Sequence, residues 1–244
     1  MQVSVGVSIG IGKNQCDDTA LVGQEVINNQ SYSFETDGYV SVAVADGVGG
    51  NKGGKEASLF VTDALSKLQF ANETELRNKI VDLNNELIQY ASGVSEKEKM
   101  ATTLTYVGFC GEESYLVHIG NTRLYAARGA YLKQITEDHT TYQWLLSTGQ
   151  TEAAESCNKN EITACLGGGN ADLADKLVVQ RIFEENKPKC VLITSDGVHE
   201  FVETDNLEDE LQKNTDDLSK VASIIRIAEE NGSTDDKTVM IIRF

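Results

Sequence analysis

The stretch "TLTYVGFCGEESYLVHIGNTRLYAARGAYLKQIT", residues 103–136, decides how this chain folds. It sets strand-like runs end to end, "TLTYVGF", "SYLVHIG", "RLYAAR" and "YLKQIT", parted only by short turns carrying Gly, Asn or Glu. Upstream the period changes from two to that of a helix. "KEASLFVTDALSKLQ" (55–69) puts Ala57, Phe60, Val61, Ala64, Leu65 and Leu68 on one face. "TELRNKIVDLNNELIQYA" (74–91) does the same with Leu76, Ile80, Leu83, Leu87 and Tyr90. Further out, Val3, Val5, Val7 and Ile9 alternate with smaller or polar residues, and "YVSVAVAD" (39–46) reads as a second strand. Strands are expected at 176–183 and 190–195, a helix at 217–230, and a last strand in "KTVMIIRF". Residues 140–175 read as a short helix with a surface flap or loop. Blocks of strands with helices between the blocks point to an α+β fold of antiparallel sheets covered by helices. A doubly wound parallel sheet would alternate strand and helix more strictly.

Bulk properties bound the function. The 244 residues, 40% of them hydrophobic and with one proline (Pro188), read as a single compact domain, 1–244, without a linker or repeat. A net charge of −17 argues against nucleic acid and against anionic membranes, since phosphate contacts need a basic face. The N-terminal "MQVSVGVSIGIG" lacks the basic start and small-residue cleavage site of a signal peptide, and no run reaches the roughly 20 apolar residues of a membrane span. Cys16, Cys110, Cys157, Cys165 and Cys190 are odd in number and form no CxxC, as expected of reduced thiols in a cytoplasmic protein.

Acidic residues recur where apolar runs end. They are Asp17 and Asp18 in "NQCDDTALV", Asp46 in "VADGVGG", Asp196 in "LITSDG", and Asp235 and Asp236 in "STDDKTVMII". A lone Asp-Gly is ordinarily a turn. Carboxylates brought together from distant strands instead repel one another unless protonated or neutralised by a cation, and all-oxygen sites suit Mg²⁺ or Mn²⁺. Gly47 leaves the backbone carbonyl beside Asp46 open to such an ion.

In order and spacing these fragments resemble the metal-dependent protein phosphatases of type 2C, the PPM family, in their short bacterial form. The likeness runs nearly end to end: Gly10, Lys13 and Asp17-Asp18 for the opening motif, then "DGVGGNKGGKEAS", "MATTLTYV", "GNTRLY", "ITEDHT", "SDGVHE" and "DDKT". The resemblance implies two packed antiparallel sheets with helices on both outer faces, an α-β-β-α sandwich. It implies hydrolysis of phosphoserine and phosphothreonine monoesters on proteins by water activated between two metal ions, with no phosphoenzyme. Carried over by position, Asp46 bridges two Mn²⁺ or Mg²⁺ ions. The Gly47 carbonyl lies on one ion, with Asp196 and Asp235 on the other. Asp18, with Asp17, holds the ions' waters, so that Asp18, Asp46 and Asp196 carry the catalysis. Asn121 and Glu200 match the neighbours of a third, weakly held ion. Lys13 stands where the family has a phosphate-binding arginine.

The chain also departs from the pattern. Lys13 is a point charge without arginine's bidentate fork. Val48 replaces a histidine of some eukaryotic relatives, Asn51 replaces a histidine of bacterial ones, and Asn121 replaces an aspartate. His118, inside a strand, reads as a satisfied core residue and His139 as a turn buttress. His199 lies near the carboxylates but is a poor ligand for a hard ion, and Cys16 reads as a small strand residue. The expected partners are phosphoprotein substrates and a cognate Ser/Thr kinase, for a monomer. The alternative is a catalytically weak or silent phosphoprotein-binding domain of the same fold. It should have lost metal carboxylates, and Asp46, Asp196 and Asp235 are all present.

Overall fold

The computed structural model describes residues 1–48, 52–169, 172, 173, 175–184 and 187–244. Gly49, Gly50 and Asn51 fall outside the described residues, so the Asn51 replacement has no structural counterpart here.

In one six-stranded sheet the order is β10 (Tyr131–Gln134), β9 (Arg123–Arg128), β13 (Cys190–Thr194), β14 (Lys237–Arg243), β1 (Gln2–Ser8) and β4 (Ser31–Glu35). The second runs β12 (Val178–Ile182), β8 (Glu113–Ile119), β7 (Leu104–Cys110), β5 (Val42–Asp46), β2 (Asp18–Val22) and β3 (Glu25–Ile27). A short ladder joins β6 (Ala101–Thr102) to β11 (Leu166–Gly167). Every ladder is antiparallel, as the hairpin series at 103–136 requires. That series is nonetheless split between the sheets: β7 and β8 pair in the second, β9 and β10 in the first.

The sheets face each other across an aliphatic layer that includes Val3, Val5, Val7, Val42, Val44, Leu124, Ile193 and Met240. Helices α1 (Gly54–Leu65) and α2 (Glu73–Ser92) cover the outside of the second sheet through Val61, Leu65, Leu76, Ile80 and Leu87. Helices α6 (Thr204–Gln212) and α7 (Asp217–Glu230) cover the outside of the first through Leu207, Val221 and Ile224. The result is the α-β-β-α sandwich. Strand β1 shows how the sequence sets it. Its valines enter the inter-sheet layer, while the small residues between them let α7 close in: a Cβ on Gly6 would stand 2.6 Å from Val221 Cγ1. Caps fix the helix starts, with Asn72 and Asp216 accepting the N–H groups of Glu75 and Ser219 at 2.9 Å.

Some expectations shift. Tyr90 does not face inward: it is 47% exposed and stacks on Phe60, because Ala91 takes the buried edge of the stripe. Strand β5 starts at Val42, since Tyr39 leaves the ladder to stack on Phe109. Among its described residues, the 140–175 region holds two short helices, α3 (Thr141–Ser147) and α4 (Thr151–Ser156). Helix α6 escaped the periodicity reading because its acidic face leaves only Leu207 and Leu211 as a buried apolar pair. Among the described residues, no helix is long and apolar enough to cross a membrane.

Candidate active site

The register of β2 with β5 sets Asp18 directly opposite Asp46 at one end of the second sheet. At the same end of the first sheet, Asp196 follows β13 and opens the one-turn helix α5 (Asp196–His199), and Asp235 lies just before β14. Carboxylates from both sheets thus gather over the end of the sandwich.

Hydroxyl and backbone groups of neighbouring elements hold Asp46 and Asp18 in place. The N–H of Asp46 donates to Thr103 Oγ1 (3.1 Å), and its carbonyl accepts from Thr102 Oγ1 (2.9 Å) and the Thr103 N–H (2.8 Å). The two threonines of "MATTLTYV" therefore fix the strand end that presents this aspartate. Gly47 packs against the start of α1, where a Cβ would lie 2.4 Å from the Gly54 carbonyl carbon. Gly197 is as constrained: its Cβ would meet the Asp236 carbonyl oxygen at 2.0 Å. Asp18 is fully buried, and its Oδ2 accepts from Ser195 Oγ (2.8 Å) and Thr238 Oγ1 (2.7 Å) across the gap between the sheets. Its Oδ1 has no partner.

The electrostatics follow from this crowding. Burial first, then the charges of Asp196 and Asp18, push the Asp46 carboxyl well above the usual range. Asp196 also rises, by burial and the Asp235 charge, against hydrogen bonds from Asp46 and Asn121. Asp18 is pushed up to about 7 by burial and by the charges of Asp236 and Asp196, although Thr238 and Ser195 pull it down. Unneutralised, the site holds protons that water-exposed carboxylates would have released. Among the described residues, no three His, Cys, Asp or Glu side chains form a ready-made metal cage. What the site offers is carboxylate and carbonyl oxygens, with the Asp46 and Asp196 carboxyls hydrogen-bonded to each other and a buried Asp18 oxygen left without a hydrogen-bond partner. That donor set fits hard divalent cations.

The remaining site residues fall into place around this core. Lys13 donates to Asp235 and, at 3.0 Å, to Asp236 Oδ2; burial disfavours its charge, but these two carboxylates hold its pKa above the ordinary lysine value. Its ammonium is thus engaged by carboxylates, at the wall of an open cleft of about 690 Å³ lined also by Gln15, Asp17 and Thr234. The sequence grouped Asp236 with Asp235, and the structure separates them. Asp236 is buried and accepts the N–H groups of Gly10 (2.7 Å) and Asp17 (2.8 Å), while Asp235 is half exposed. Asp17 lines that cleft, its carboxylate accepting from Gln15 Nε2 (3.0 Å). Asn121 is buried and donates to Asp196 Oδ2 at 3.0 Å, leaving its own Oδ1 unpartnered. Glu200 accepts from Asn160 (2.6 Å) and is pushed up to about 7 by burial and the Asp196 charge. Sequence reasoning missed Ser195, Thr238 and Asn160; the first two lie inside the quoted "SDG" and "DDKT" fragments, where their hydroxyls drew no attention.

The histidines serve the frame. His118 is buried between Thr105 Oγ1 (3.0 Å) and the Glu137 carbonyl (2.9 Å), and burial lowers its pKa to about 3. His139 Nδ1 accepts the Gly120 N–H (3.0 Å), buttressing the turn that presents Asn121. His199 is buried against Thr194 Oγ1 at 3.0 Å. Cys16 is buried, and burial pushes its thiol far above the range of a reactive cysteine.

This arrangement has known counterparts. The family profile described as Protein phosphatase 2C matches residues 20–237, nearly the whole chain. The chain belongs to the protein phosphatase 2C family. It is 31% identical over 214 residues to the serine/threonine phosphatase stp of Listeria monocytogenes, spanning 82% of this chain and 83% of that one. The crystal structure of serine/threonine phosphatase Stp1 from Staphylococcus aureus superposes with a TM-score of 0.81 at 25% identity, covering 99% of this chain and 94% of that chain. The catalytic domain of PstP, solved in complex with two manganese ions, shares the fold (TM-score 0.77, 24% identity, 99% and 98% covered). As a protein phosphatase 2C, the chain is a serine/threonine phosphatase, a phosphoric monoester hydrolase.

Proposed function

We propose that this phosphatase hydrolyses phosphoserine and phosphothreonine monoesters on proteins, using two Mn²⁺ or Mg²⁺ ions held by Asp46, the Gly47 carbonyl, Asp196 and Asp235. The observation that carries the reading is the convergence of Asp46 and Asp18 from one sheet with Asp196 and Asp235 from the other, crowded enough to push the Asp46 carboxyl far up. Such a site is relieved by positive charge. Divalent cations bound there would neutralise the phosphoester dianion and make water acidic enough to supply a nucleophile at neutral pH.

The chain's own residues have distinct tasks on this reading. Asp46, Asp196 and Asp235 bind. Asp18 keeps one oxygen clasped by Ser195 and Thr238 and has the other unpartnered, which would be available to hold water on bound ions, together with Asp17. Thr102 and Thr103 orient Asp46 through its backbone. Lys13 exchanges one carboxylate partner for the substrate phosphate at the cleft wall, as a point charge. Asn121 and Glu200 would hold a third ion more weakly, since Asn121 would bring a carbonyl but no charge. Cys16, the cysteine next to Asp17, is buried with its thiol pushed up by burial, in keeping with water as the nucleophile.

The chain acts as one catalytic domain and as a cytoplasmic monomer, opposing a Ser/Thr kinase in signalling. Phosphate release from a phosphothreonine peptide, measured with Mn²⁺ and then with excess chelator, tests the proposal. Activity should require the metal and return on its readdition; chelator-resistant hydrolysis would overturn it.

A further inference from the structure

The face of β14 that packs under α7 carries Val239 and Ile241, and at the next position of that alternation stands a lysine. Lys237 is fully buried, with none of its side chain left in water. Lysine is almost never buried to this degree unless its charge is paired. An aliphatic residue would have continued the stripe, so what sets this position apart is what the ammonium reaches. It donates to the carbonyl oxygen of Asp235 at 2.7 Å, and Glu229 Oε1, near the end of α7, lies 3.6 Å away.

The carbonyl it holds belongs to the peptide unit between Asp235 and Asp236. The N–H of that same unit donates back to Asp235 Oδ1 at 2.8 Å. Ammonium, peptide group and carboxylate thus form one chain of two hydrogen bonds, which starts at a buried cation and ends on Asp235. A cation on the carbonyl polarises the peptide and strengthens donation from its N–H. Lys13 also donates to Oδ1, so both bonds fall on one oxygen and neither on Oδ2. The Asp235 side chain is held in this way although Thr234 and Asp235 are exposed. Other contacts hold the flanks of the turn. Ser233 Oγ donates to the Gly197 carbonyl at 2.7 Å, and Asp236 takes the N–H groups of Gly10 and Asp17. Lys237 holds the carbonyl of Asp235 itself.

We propose, on the reading of Asp235 as a metal ligand, that Lys237 is a positioning residue. Its buried ammonium fixes the Asp235–Asp236 peptide and, through that peptide, the orientation in which the Asp235 carboxylate takes metal. A lysine that merely tied α7 to β14 would act through Glu229 instead.

Isothermal titration of the full chain with Mn²⁺ tests it, with Asp235→Asn as the reference that should weaken one of two Mn²⁺ equivalents. Lys237→Met keeps the apolar stem and removes the ammonium. It should weaken that same equivalent about tenfold and leave the other unchanged. Its melting temperature in EDTA should stay within about 4 °C of wild type, because Glu229, 37% exposed, keeps its contact with water. Lys237→Gln, a shorter neutral donor, should show the same loss in milder form and carries the test if the methionine variant does not fold. Glu229→Gln should bind Mn²⁺ as wild type does. If Asp235→Asn weakens an equivalent and Lys237→Met does not, Lys237 has no part in positioning Asp235, while the metal-ligand reading stands. An equal loss in Glu229→Gln refutes the route through the peptide and leaves Lys237 as a tie to α7. If wild type binds Mn²⁺ no better than Asp235→Asn, the ligand role of Asp235 and the positioning role of Lys237 fall together.

Discussion

Replacing Asp18 by Asn should make the metal-free protein more stable at pH 8 while destroying its catalytic power. Asp18 is 1% exposed, and its carboxyl is pushed from 3.8 to about 7, burial being the largest cause. A native pKa raised above the unfolded value means that the folded state binds the extra proton. Stability from this group is therefore full below about pH 4 and is lost as pH rises through about 7. At 1.36 kcal/mol per pKa unit, the ionised group costs the fold on the order of 4 kcal/mol at pH 8. The amide oxygen keeps Ser195 and Thr238, while its NH2 stands where Oδ1 has no partner, which offsets about 1–3 kcal/mol of that gain. For a chain of this length the net gain amounts to roughly 2–12 °C in melting temperature. Urea and thermal melts of wild type and Asp18→Asn, in EDTA at pH 5 and pH 8, measure it. Between pH 5 and pH 8 the variant should gain on the order of 3 kcal/mol on the wild type, from the same pKa difference. Equal pH dependence in the two would refute the view of Asp18 as a buried, crowded carboxylate.

Asp46→Asn and Asp196→Asn should each lower Mn²⁺-dependent turnover by several orders of magnitude with circular dichroism unchanged; wild-type rates at limiting Mn²⁺ would remove that residue from the metal set. Alkylation with iodoacetamide should leave activity intact, since burial raises the Cys16 and Cys190 thiols and the proposed nucleophile is water. Rapid, phosphate-protected inactivation would point to a cysteine mechanism. Asn121→Asp should add a Mn²⁺ equivalent at micromolar metal by supplying a charge beside Glu200, and identical titrations in the two proteins would leave Asn121 as a hydrogen-bond donor to Asp196 only.

The parts of the fold that could be read from sequence were those whose burial follows one period. Helix α7 matches its expected span because Val221, Ile224 and Ala228 keep a regular stripe. Strands β7 to β10 were legible from alternation, but not their division between two sheets, which depends on pairings with β5 and β13 far along the chain. Asp46 and Asp196 stood out because Asp-Gly at a strand end is conspicuous. The roles of Ser195 and Thr238 did not, because a hydroxyl in a polar fragment gains meaning only from the carboxylate it meets across the sandwich. Asp236 misled for the converse reason. Adjacent in sequence to Asp235, it turns inward to bind the backbone of Gly10 and Asp17.

The hydroxyl clasp on Asp18 joins residues 220 positions apart, Thr238 to Asp18, and it lies where the two sheets meet. Asp18 and Asp46 travel with one sheet and Asp196 and Asp235 with the other, so on the proposed reading neither sheet alone contains a working centre. Any opening of the sandwich at this end, even one that leaves both sheets internally paired, dismantles the chemistry before it exposes the hydrophobic layer. Cations bound across the seam would resist that opening in proportion to their occupancy, so their concentration would set mechanical cohesion as well as rate. Loss of metal and parting of the sheets are then one event seen from two sides, and activity becomes a sensitive gauge of whether the halves of the molecule are still together.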